Sequence, residues 1–311
     1  MVRWIGFFVG LGFVGVLVIS FITGAIAFVK EPPQKAVEYA FHKEARPANL
    51  PSDGVFGRFD RQQLQRGFQV YKEVCAACHG LTYVAFRNLE DLGYNEAEVK
   101  AIADQWAIEV PAINPDTGEA TTRKALPSDR FPDPYANEVA ARAANSNAFP
   151  PDLALITKAR HNGADYLYSL LTGYQSADNY RNEKGELLPE ANRPGQGLYF
   201  NPYFANLNIA MPPPIVADGQ VTYADGTNAT IDQMSKDVAA FLVWTAEPKL
   251  ESRHRTGFAV LIFLLIATVL AYLSYRNIWA NAKRQVRITG PLDPENMAKR
   301  NAAAHQAGID G

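Results

Sequence analysis

A Cys-x-x-Cys-His motif, within EVCAACHG at residues 73–80, holds the only two cysteines of the 311-residue chain. Three kinds of site use cysteines at this spacing: a redox dithiol, part of a zinc site, or a covalently attached c-type haem. Zinc usually needs four ligands, and no second Cys-x-x-Cys pair is present to complete them. The haem interpretation uses all three residues, because Cys75 and Cys78 would form thioethers and His79 would give a ring nitrogen to iron. The motif therefore favours haem, with structural cysteines or a dithiol as the alternatives.

An uncharged stretch near the C-terminus is long enough to cross a bilayer. Twenty residues, TGFAVLIFLLIATVLAYLSY, lie between Arg255 and Arg276, and as a helix they would span about 30 Å, the thickness of the hydrocarbon core. Tyr272, Tyr275 and Trp279 cluster at its C-terminal end, where basic residues begin with Arg276, a pattern typical of a cytoplasmic boundary. Basic residues also precede it, so the charge pattern orients the helix only weakly. C-type haem is attached outside the bacterial cytoplasm or in the mitochondrial intermembrane space. The Cys-x-x-Cys-His motif therefore predicts that the preceding domain lies on that side of the membrane, which in a bacterium is the periplasm.

The N-terminal segment is also apolar. Arg3 is followed by an uncharged run from Trp4 to Val29, which fits either a secretory signal or a retained membrane anchor. GAIA, at 24–27, contains a signal-cleavage pattern, whereas the run is longer than a usual signal core. We favour a retained anchor on this ground. In either case the segment would send the following domain across the membrane.

The region between the two apolar segments is acidic. Residues 31–256 contain 22 Lys and Arg against 29 Asp and Glu, a net charge of −7. A domain with this charge can steer a basic partner towards itself, although an excess of this size also serves solubility. Its length and mixed composition predict one substantial domain.

The second axial ligand would distinguish an electron carrier from a haem that binds small molecules. Of the four methionines, Met1 and Met297 lie at the chain ends. Met234 lies in TIDQMSKDVAAFLVWT, whose apolar residues recur at helical spacing, so core packing is expected. Met211 lies in NIAMPPPI, whose prolines predict a stiff loop that can hold a thioether in place. We therefore favour Met211; among the histidines only His161 competes, and a structural role is expected for it.

Helical periodicity in QQLQRGFQVYKEV predicts an amphipathic helix that ends at Cys75. Gly67 would allow this helix to cross closely over a second helix, at about 231–245, and Phe68 would pack on Phe241. One further helix is expected in LALITKARHNGADYLYSLLTG. The Asp-Gly pair in VTYADGTNAT predicts a short β-hairpin.

Several motifs follow one another between about Gly54 and Asn277: GFQVYKEVCAACHG, RAANSNAFPPDL, ARHNGADYLYSLLTGY, GLYFNPYF, NIAMPPPI, VTYADGT and DVAAFLVWTAEP, followed by one C-terminal apolar segment. This ordered set resembles the cytochrome c1 family. The resemblance implies a mainly α fold: a class I cytochrome c-like haem domain with insertions, a C-terminal transmembrane helix and an N-terminal hydrophobic segment. In this family the N-terminal segment is normally a removed signal, which weakens the expectation of a retained anchor.

The resemblance also implies a set of site residues. One haem c would be attached covalently to Cys75 and Cys78, with His79 and Met211 as the axial ligands of its iron. Arg142, in RAAN, matches a family arginine near a haem propionate, where a guanidinium suits a carboxylate. The two cysteines would then both be used by the haem.

The function implied by the resemblance is a one-electron relay in the ubiquinol:cytochrome c reductase (cytochrome bc1) complex. A Rieske iron–sulfur protein would reduce the haem, and the haem would reduce a soluble or membrane-anchored cytochrome c. Cytochrome b would be a further partner, and nothing in the chain resembles a quinone site, so quinol oxidation is not expected of this subunit alone. A different class of function, a membrane-anchored haem enzyme or sensor such as a peroxidase, would require an open iron site and therefore an unbound Met211.

The expected organisation has four parts in a bacterial inner membrane. Residues 1–30 would be a signal or anchor, 31–256 the periplasmic haem domain, 257–276 the transmembrane helix, and 277–311 a cytoplasmic tail.

Overall fold

Helices dominate the computed structural model, which describes residues 2–30, 36–289 and 293–306. The α-helices in these ranges are α1 (Val2–Lys30), α2 (Val37–Phe41), α3 (Arg61–Val70), α4 (Glu96–Asp104), α5 (Glu138–Ala144), α6 (Ile156–Ala159), α7 (Gly163–Leu171), α8 (Ile231–Ala246), α9 (Leu250–Thr289) and α10 (Pro294–Gln306). Shorter helical turns are the π-helical turn Tyr71–Cys75 and the 3₁₀ turns Phe86–Leu92 and Glu190–Asn192. The predicted mainly α fold is thus confirmed. Parts of the segments assigned to the domain start and the tail (31–35, 290–292 and 307–311) lie outside the described residues.

Two small antiparallel hairpins complete the secondary structure of these ranges. They are formed by β1 (Val110–Ile113) with β2 (Ala120–Arg123), and by β3 (Tyr199–Phe200) with β4 (Asn208–Ile209). In the first, Val110 lies opposite Arg123; in the second, Tyr199 lies opposite Ile209.

The chain divides into two compact units. The first comprises the residues up to Asp53 together with Phe59–Pro248, and contains α1 to α8. The second comprises the short segment Gly54–Arg58 and the chain from Lys249 onward, with α9 and α10.

An apolar helix near each end of the chain was predicted and is present. α1 and the Leu250–Lys283 part of α9 are both long and apolar enough to cross a membrane, and their most apolar windows bury no residue within the protein. A signal sequence meets the same criteria as α1, so the helix itself does not distinguish a signal from an anchor.

The first unit is organised around the crossing of α3 and α8. Asp60 caps α3 by accepting hydrogen bonds from backbone N–H groups of its first turn, and Thr230 caps α8 in the same way. At the crossing, Gly67 leaves no room for a side chain: a Cβ there would lie 2.7 Å from the Cβ of Phe241 and still closer to the backbone of Asp237. The predicted close crossing at Gly67 is therefore confirmed.

Aromatic rings fill the core beside this crossing. The ring of Phe68 lies 5.7 Å from that of Phe241, as the helical spacing predicted, and Trp244 stacks on Phe241. The remaining buried rings of the cluster are contributed by Tyr71, Phe86, Trp106 and Phe131. Full burial of one such side chain contributes about 1.5–3 kcal/mol. The cluster therefore anchors the helix that leads into the Cys-x-x-Cys-His motif.

A buried carboxylate joins the same two helices. The side chain of Asp237, fully buried on α8, accepts hydrogen bonds from Arg66 Nε (2.9 Å), Gln63 Nε2 (3.1 Å) and Gln233 Nε2 (2.8 Å). Arg66 also pairs with Asp225 at 2.7 Å. Burial acts to lower the pKa of Arg66, but its bonds to the two carboxylates outweigh this and raise it. The buried charge is thus compensated by an ion pair and by side-chain amides.

Two secondary-structure predictions were wrong in detail. The single helix expected at 153–173 is two helices, α6 and α7, because Asn162 and Gly163 adopt positive φ values of 62° and 46° between them. The segment 221–230 contains a turn in which Gly226 N–H bonds to Tyr223 O (3.3 Å), but its flanks form no strands. The longer hairpin lies instead at β1 and β2.

Candidate haem-binding site

The Cys-x-x-Cys-His motif begins at Cys75, the last residue of the π-helical turn that continues α3. Within this turn the Ala76 N–H donates to Tyr71 O (2.8 Å), and the His79 N–H donates to Cys75 O (2.9 Å). π-Helical turns are rare and often occur at functional sites. The helical chain thus ends at Cys75, as the sequence predicted, and Cys78 and His79 follow within one further turn.

The two cysteines are free, partly buried thiols. Burial, together with the neighbouring Cys78, raises the pKa of Cys75 to about 12. Redox dithiols and zinc ligands react as thiolates, and their surroundings usually lower the thiol pKa. In addition, no cluster of three or more His, Cys, Asp or Glu side chains suited to a metal occurs in the described part of the chain. The pKa of Cys75 is thus shifted in the direction opposite to that of a reactive thiolate.

His79 is held in a defined orientation. Its Nδ1 lies 2.8 Å from the carbonyl oxygen of Pro151, and because a carbonyl only accepts, Nδ1 must carry the proton. Its own backbone carbonyl accepts a 2.8 Å bond from the Tyr71 hydroxyl. Burial lowers the pKa of His79. The bond to Pro151 and the charge of Asp152 act in the opposite direction, but the effect of burial is larger, so the pKa is lowered overall. A neutral imidazole with Nε2 available is the form that binds a metal.

A carboxylate that the sequence did not single out fastens the segment that carries this carbonyl. Asp152 accepts bonds from the Thr82 N–H (2.8 Å) and hydroxyl (2.7 Å) through one oxygen, and from the Ala154 N–H (2.8 Å) through the other. The Leu153 N–H also donates to Gly80 O at 3.0 Å. Residues 79–82 and 151–154 are thereby tied together, and the Pro151 carbonyl is held against the imidazole.

Gly80 is confined between two carboxylates. A Cβ at this position would lie 2.5 Å from Asp133 Oδ1 and 3.2 Å from Asp152 Oδ2. The close approach of these side chains to the backbone directly after His79 therefore depends on glycine here.

Arg142 lies on α5, whose C-terminal end adjoins the motif. Asn145, which ends this helix, donates 2.9 Å to the Tyr135 hydroxyl, and that hydroxyl lies near the thiol of Cys78. The guanidinium of Arg142 itself pairs with Glu138 (2.7 Å) and donates to Asn147 O (2.9 Å). Arg142 therefore belongs to a helix beside the cysteines, while its side chain is engaged with groups of its own segment.

The two candidate methionines differ in their surroundings. Met234 is fully buried within α8, as its helical spacing predicted. Met211 is only partly buried, on the loop after β4, and its carbonyl accepts a 3.1 Å bond from the Tyr174 hydroxyl. Burial raises the pKa of Tyr174 well above its usual value, so it remains a donor. His161 is exposed between α6 and α7.

The site residues fit haem c by the chemistry of their donors. The motif supplies two thiols on one turn and a neutral imidazole whose second nitrogen is left available. The loop of Met211 supplies a thioether that is not consumed in the core. Each of these groups matches a requirement for covalent attachment or axial ligation.

Comparison with known proteins gives the family. The sequence profile of the Cytochrome C1 family matches residues 50–282. The chain belongs to the cytochrome c1 family. It is accordingly a respiratory c-type cytochrome, and haem c is the cofactor that the family implies. The two apolar helices fit a membrane protein.

Individual relatives cover most of the chain. A cytochrome c1 of Rhodospirillum rubrum is 46% identical over 239 residues, which are 74% of this chain and 85% of that protein. A mitochondrial cytochrome c1 heme protein of Arabidopsis thaliana is 43% identical over 263 residues, 84% of this chain and 80% of the relative. The "Cytochrome b/c1" of Bradyrhizobium diazoefficiens is 46% identical over 250 residues, which cover 74% of this chain but only 34% of that longer protein.

Proposed function

We propose that this cytochrome c1 family member carries single electrons from a Rieske iron–sulfur protein to a cytochrome c, within a ubiquinol:cytochrome c reductase complex. Cytochrome b and the Rieske protein would be its neighbours in the complex, and a soluble or membrane-anchored cytochrome c its acceptor. Quinol oxidation would belong to the assembled complex.

The observation that carries the proposal is the fixed imidazole of His79 beside two thiols. The 2.8 Å bond to Pro151 O keeps the proton on Nδ1 and directs Nε2 away from this carbonyl. We assign the covalent attachment of one haem to Cys75 and Cys78, and the proximal ligand to His79. Haem c, when bound there, supplies a one-electron iron couple. The protein's own contribution is to hold the ring in one orientation and to exclude other ligands.

Met211 is proposed as the second axial ligand. Its loop is stiffened by the three following prolines, and its backbone is fastened by Tyr174, three residues after α7. A thioether favours a higher reduction potential than a second imidazole would. Because a sixth protein ligand closes the iron to other molecules, ligation by Met211 favours electron transfer over small-molecule chemistry. Arg142 would contribute to a propionate only if it exchanged its bond to Glu138.

The partner and the membrane arrangement follow from charge and topology. A net charge of −7 over residues 31–256 suits a basic acceptor and predicts fast, salt-sensitive encounter. Residues 31–256 would form a periplasmic haem domain, 257–276 a span of a bacterial inner membrane, and 277–311 a cytoplasmic tail. Residues 1–30 would be a second anchor or a cleaved signal.

A redox titration of the haem-loaded full chain tests the site, with Met211→Leu as the variant and Met234→Leu as the matched control. Both substitutions remove one thioether of similar volume. We expect Met211→Leu to lower the potential sharply and abolish the methionine-to-iron charge-transfer band, while Met234→Leu leaves both unchanged.

Two other results would count against the proposal. An unchanged potential in Met211→Leu would mean that another group ligates the iron. A wild-type protein that binds carbon monoxide readily would have an open iron site, and a haem enzyme or sensor would then be favoured. Electron transfer from a reduced Rieske protein to cytochrome c, followed in the assembled complex at increasing salt, tests the relay itself.

A further inference from the structure

A tight turn in the second unit presents two apolar side chains to its surroundings. The Gly57 N–H donates to Gly54 O at 3.2 Å and closes a four-residue turn, Gly-Val-Phe-Gly, with Val55 and Phe56 at its tip. Gly54 has a φ of 77°, a conformation that favours glycine. The backbone of the turn is thus built to hold these two side chains outward.

The tip is more exposed than apolar residues normally are. Phe56 is 80% exposed and Val55 67%. Outside α1 and α9, Phe56 is the most exposed large hydrophobic side chain in the described part of the chain. Two adjacent exposed apolar residues at a loop tip have a cost in water that a suitable partner would remove.

The neighbour of this tip identifies the surroundings that suit it. The ring of Phe56 stacks on that of Phe258, with centroids 5.1 Å apart and planes at 11°. Phe258 is the third residue of the uncharged run of α9, so it lies about 5 Å along the helix from Arg255. The turn is therefore level with the point at which α9 becomes apolar.

Charged residues adjoin the apolar tip, with Asp53 directly before the turn and basic residues on its other side. Arg58 follows the turn directly, Arg255 immediately precedes the uncharged run of α9, and both side chains are exposed. This order, basic residues and then aromatic and aliphatic ones, matches the order of lipid phosphates and acyl chains at a bilayer surface.

We propose that the Gly54–Gly57 turn inserts Val55 and Phe56 into the boundary between headgroups and acyl chains where α9 enters the bilayer. The protein would then contact the membrane through both the turn and α9. Two contacts would restrict rotation of the protein about the axis of α9. This inference rests on the proposed membrane anchoring by α9 and adds a second contact that the anchoring does not require.

Spin labels on the full haem-loaded chain, in phosphatidylcholine–phosphatidylglycerol nanodiscs, test the insertion. Single cysteines are introduced as Phe56→Cys, as Val139→Cys, and as Leu265→Cys in the middle of the uncharged run. Val139 is an apolar residue of α5 with comparable exposure, 77%. Collision rates with oxygen, which concentrates in lipid, and with a water-soluble nickel chelate report the depth of each label.

We expect the oxygen-to-nickel collision ratio at position 56 to exceed that at position 139 by about threefold or more, and to lie below that at position 265. If the labels at positions 56 and 139 give equal ratios while the label at 265 lies deep in lipid, the proposed insertion is wrong and the membrane anchor stands. Low access to both reagents at 56 means that protein covers the turn, which also overturns it. If the label at position 265 is accessible to the water-soluble nickel chelate, the membrane anchoring by α9 is itself contradicted. Val55→Cys repeats the measurement should Phe56→Cys lose its haem spectrum.

Discussion

The Nδ1 atom of His79 donates a 2.8 Å hydrogen bond to the carbonyl oxygen of Pro151, 72 residues further along the chain. The next residue, Asp152, fastens this carbonyl's segment through three hydrogen bonds to Thr82 and Ala154. The orientation of the proposed axial ligand therefore depends on a carboxylate that need not touch the haem. Asp152 is a positioning residue for His79.

Asp152→Ala should loosen His79 without removing any proposed ligand. The loss of three hydrogen bonds from a solvent-accessible carboxylate is expected to lower the free energy of unfolding by about 1–2 kcal/mol. The potential should shift, and the electron paramagnetic resonance signal of the oxidised protein should broaden as the imidazole plane becomes less defined. Asp152→Asn keeps one acceptor oxygen and should restore most of the signal shape. If Asp152→Ala keeps the reduction potential and the line width of the wild type, Asp152 does not position His79.

A substitution at Gly67 tests the crossing of α3 and α8, which supports the Cys-x-x-Cys-His motif. In Gly67→Ala the new methyl group would lie 2.7 Å from the Cβ of Phe241 and closer to the backbone of Asp237, neither of which can move freely. We expect a loss of about 3 kcal/mol or more in the free energy of unfolding and poor haem incorporation. Gly195→Ala is the control, since nothing lies within 4 Å of a Cβ there. Equal urea midpoints for the two variants would show that α3 and α8 can separate without cost.

The buried ion pair of Asp237 links α3 to the chain that follows Met211. Arg66 binds both Asp237 and Asp225, and Gln69 donates a 2.9 Å bond to Thr222 O. Asp237→Ala leaves a largely buried guanidinium without its main partner, so we expect a loss of about 3–5 kcal/mol in urea unfolding. The methionine charge-transfer band should weaken as well, because the loop of Met211 loses part of its support.

Asp225→Asn is the matched control for this pair. It removes the more exposed of the two carboxylates that bind Arg66, and its cost should stay below about 1 kcal/mol. Comparable losses in the two variants would mean that burial of Asp237 adds nothing to the pair.

Much of the proposed site could be predicted from sequence because its signals are local. Cys75, Cys78 and His79 are consecutive in one motif, and the prolines after Met211 lie in the same octapeptide. The helix of Gly67 was predictable for the same reason, since its apolar spacing repeats over a few residues. What these features share is that neighbouring residues determine them.

The contacts that orient the site could not be predicted in this way. Pro151 and Asp152 meet residues 79–82 only through the tertiary fold, and no local pattern identifies either as a partner of His79.

Two errors did have local signals. The Asn162-Gly163 pair, a typical turn dipeptide, breaks the helix expected at 153–173. The hairpin of β1 and β2 surrounds NPDTG, a turn-forming sequence. At 221–230, by contrast, the Asp-Gly turn forms, while the chain beside it is engaged with α3 instead of with another strand.

Asp232 provides a pH-dependent link between α7 and α8. Lys236 binds its carboxylate at 2.7 Å and the Tyr168 hydroxyl donates to it at 2.6 Å, and these bonds lower the pKa of Asp232 below its ordinary 3.8. When folding lowers the pKa of a carboxyl group, its charge stabilises the folded protein fully at any pH above the pKa of the unfolded chain. This stabilisation is lost as the pH falls through the lower pKa of the folded protein. Because the side chain of Asp232 is about half exposed, the effect should not exceed about 1 kcal/mol. Urea unfolding of wild type and Asp232→Asn is compared at neutral pH and well below 3.8, where the difference in stability between them should close. Lys236→Gln should narrow the difference at neutral pH. A gap that is constant with pH would show that the Asp232 contribution is packing and not charge.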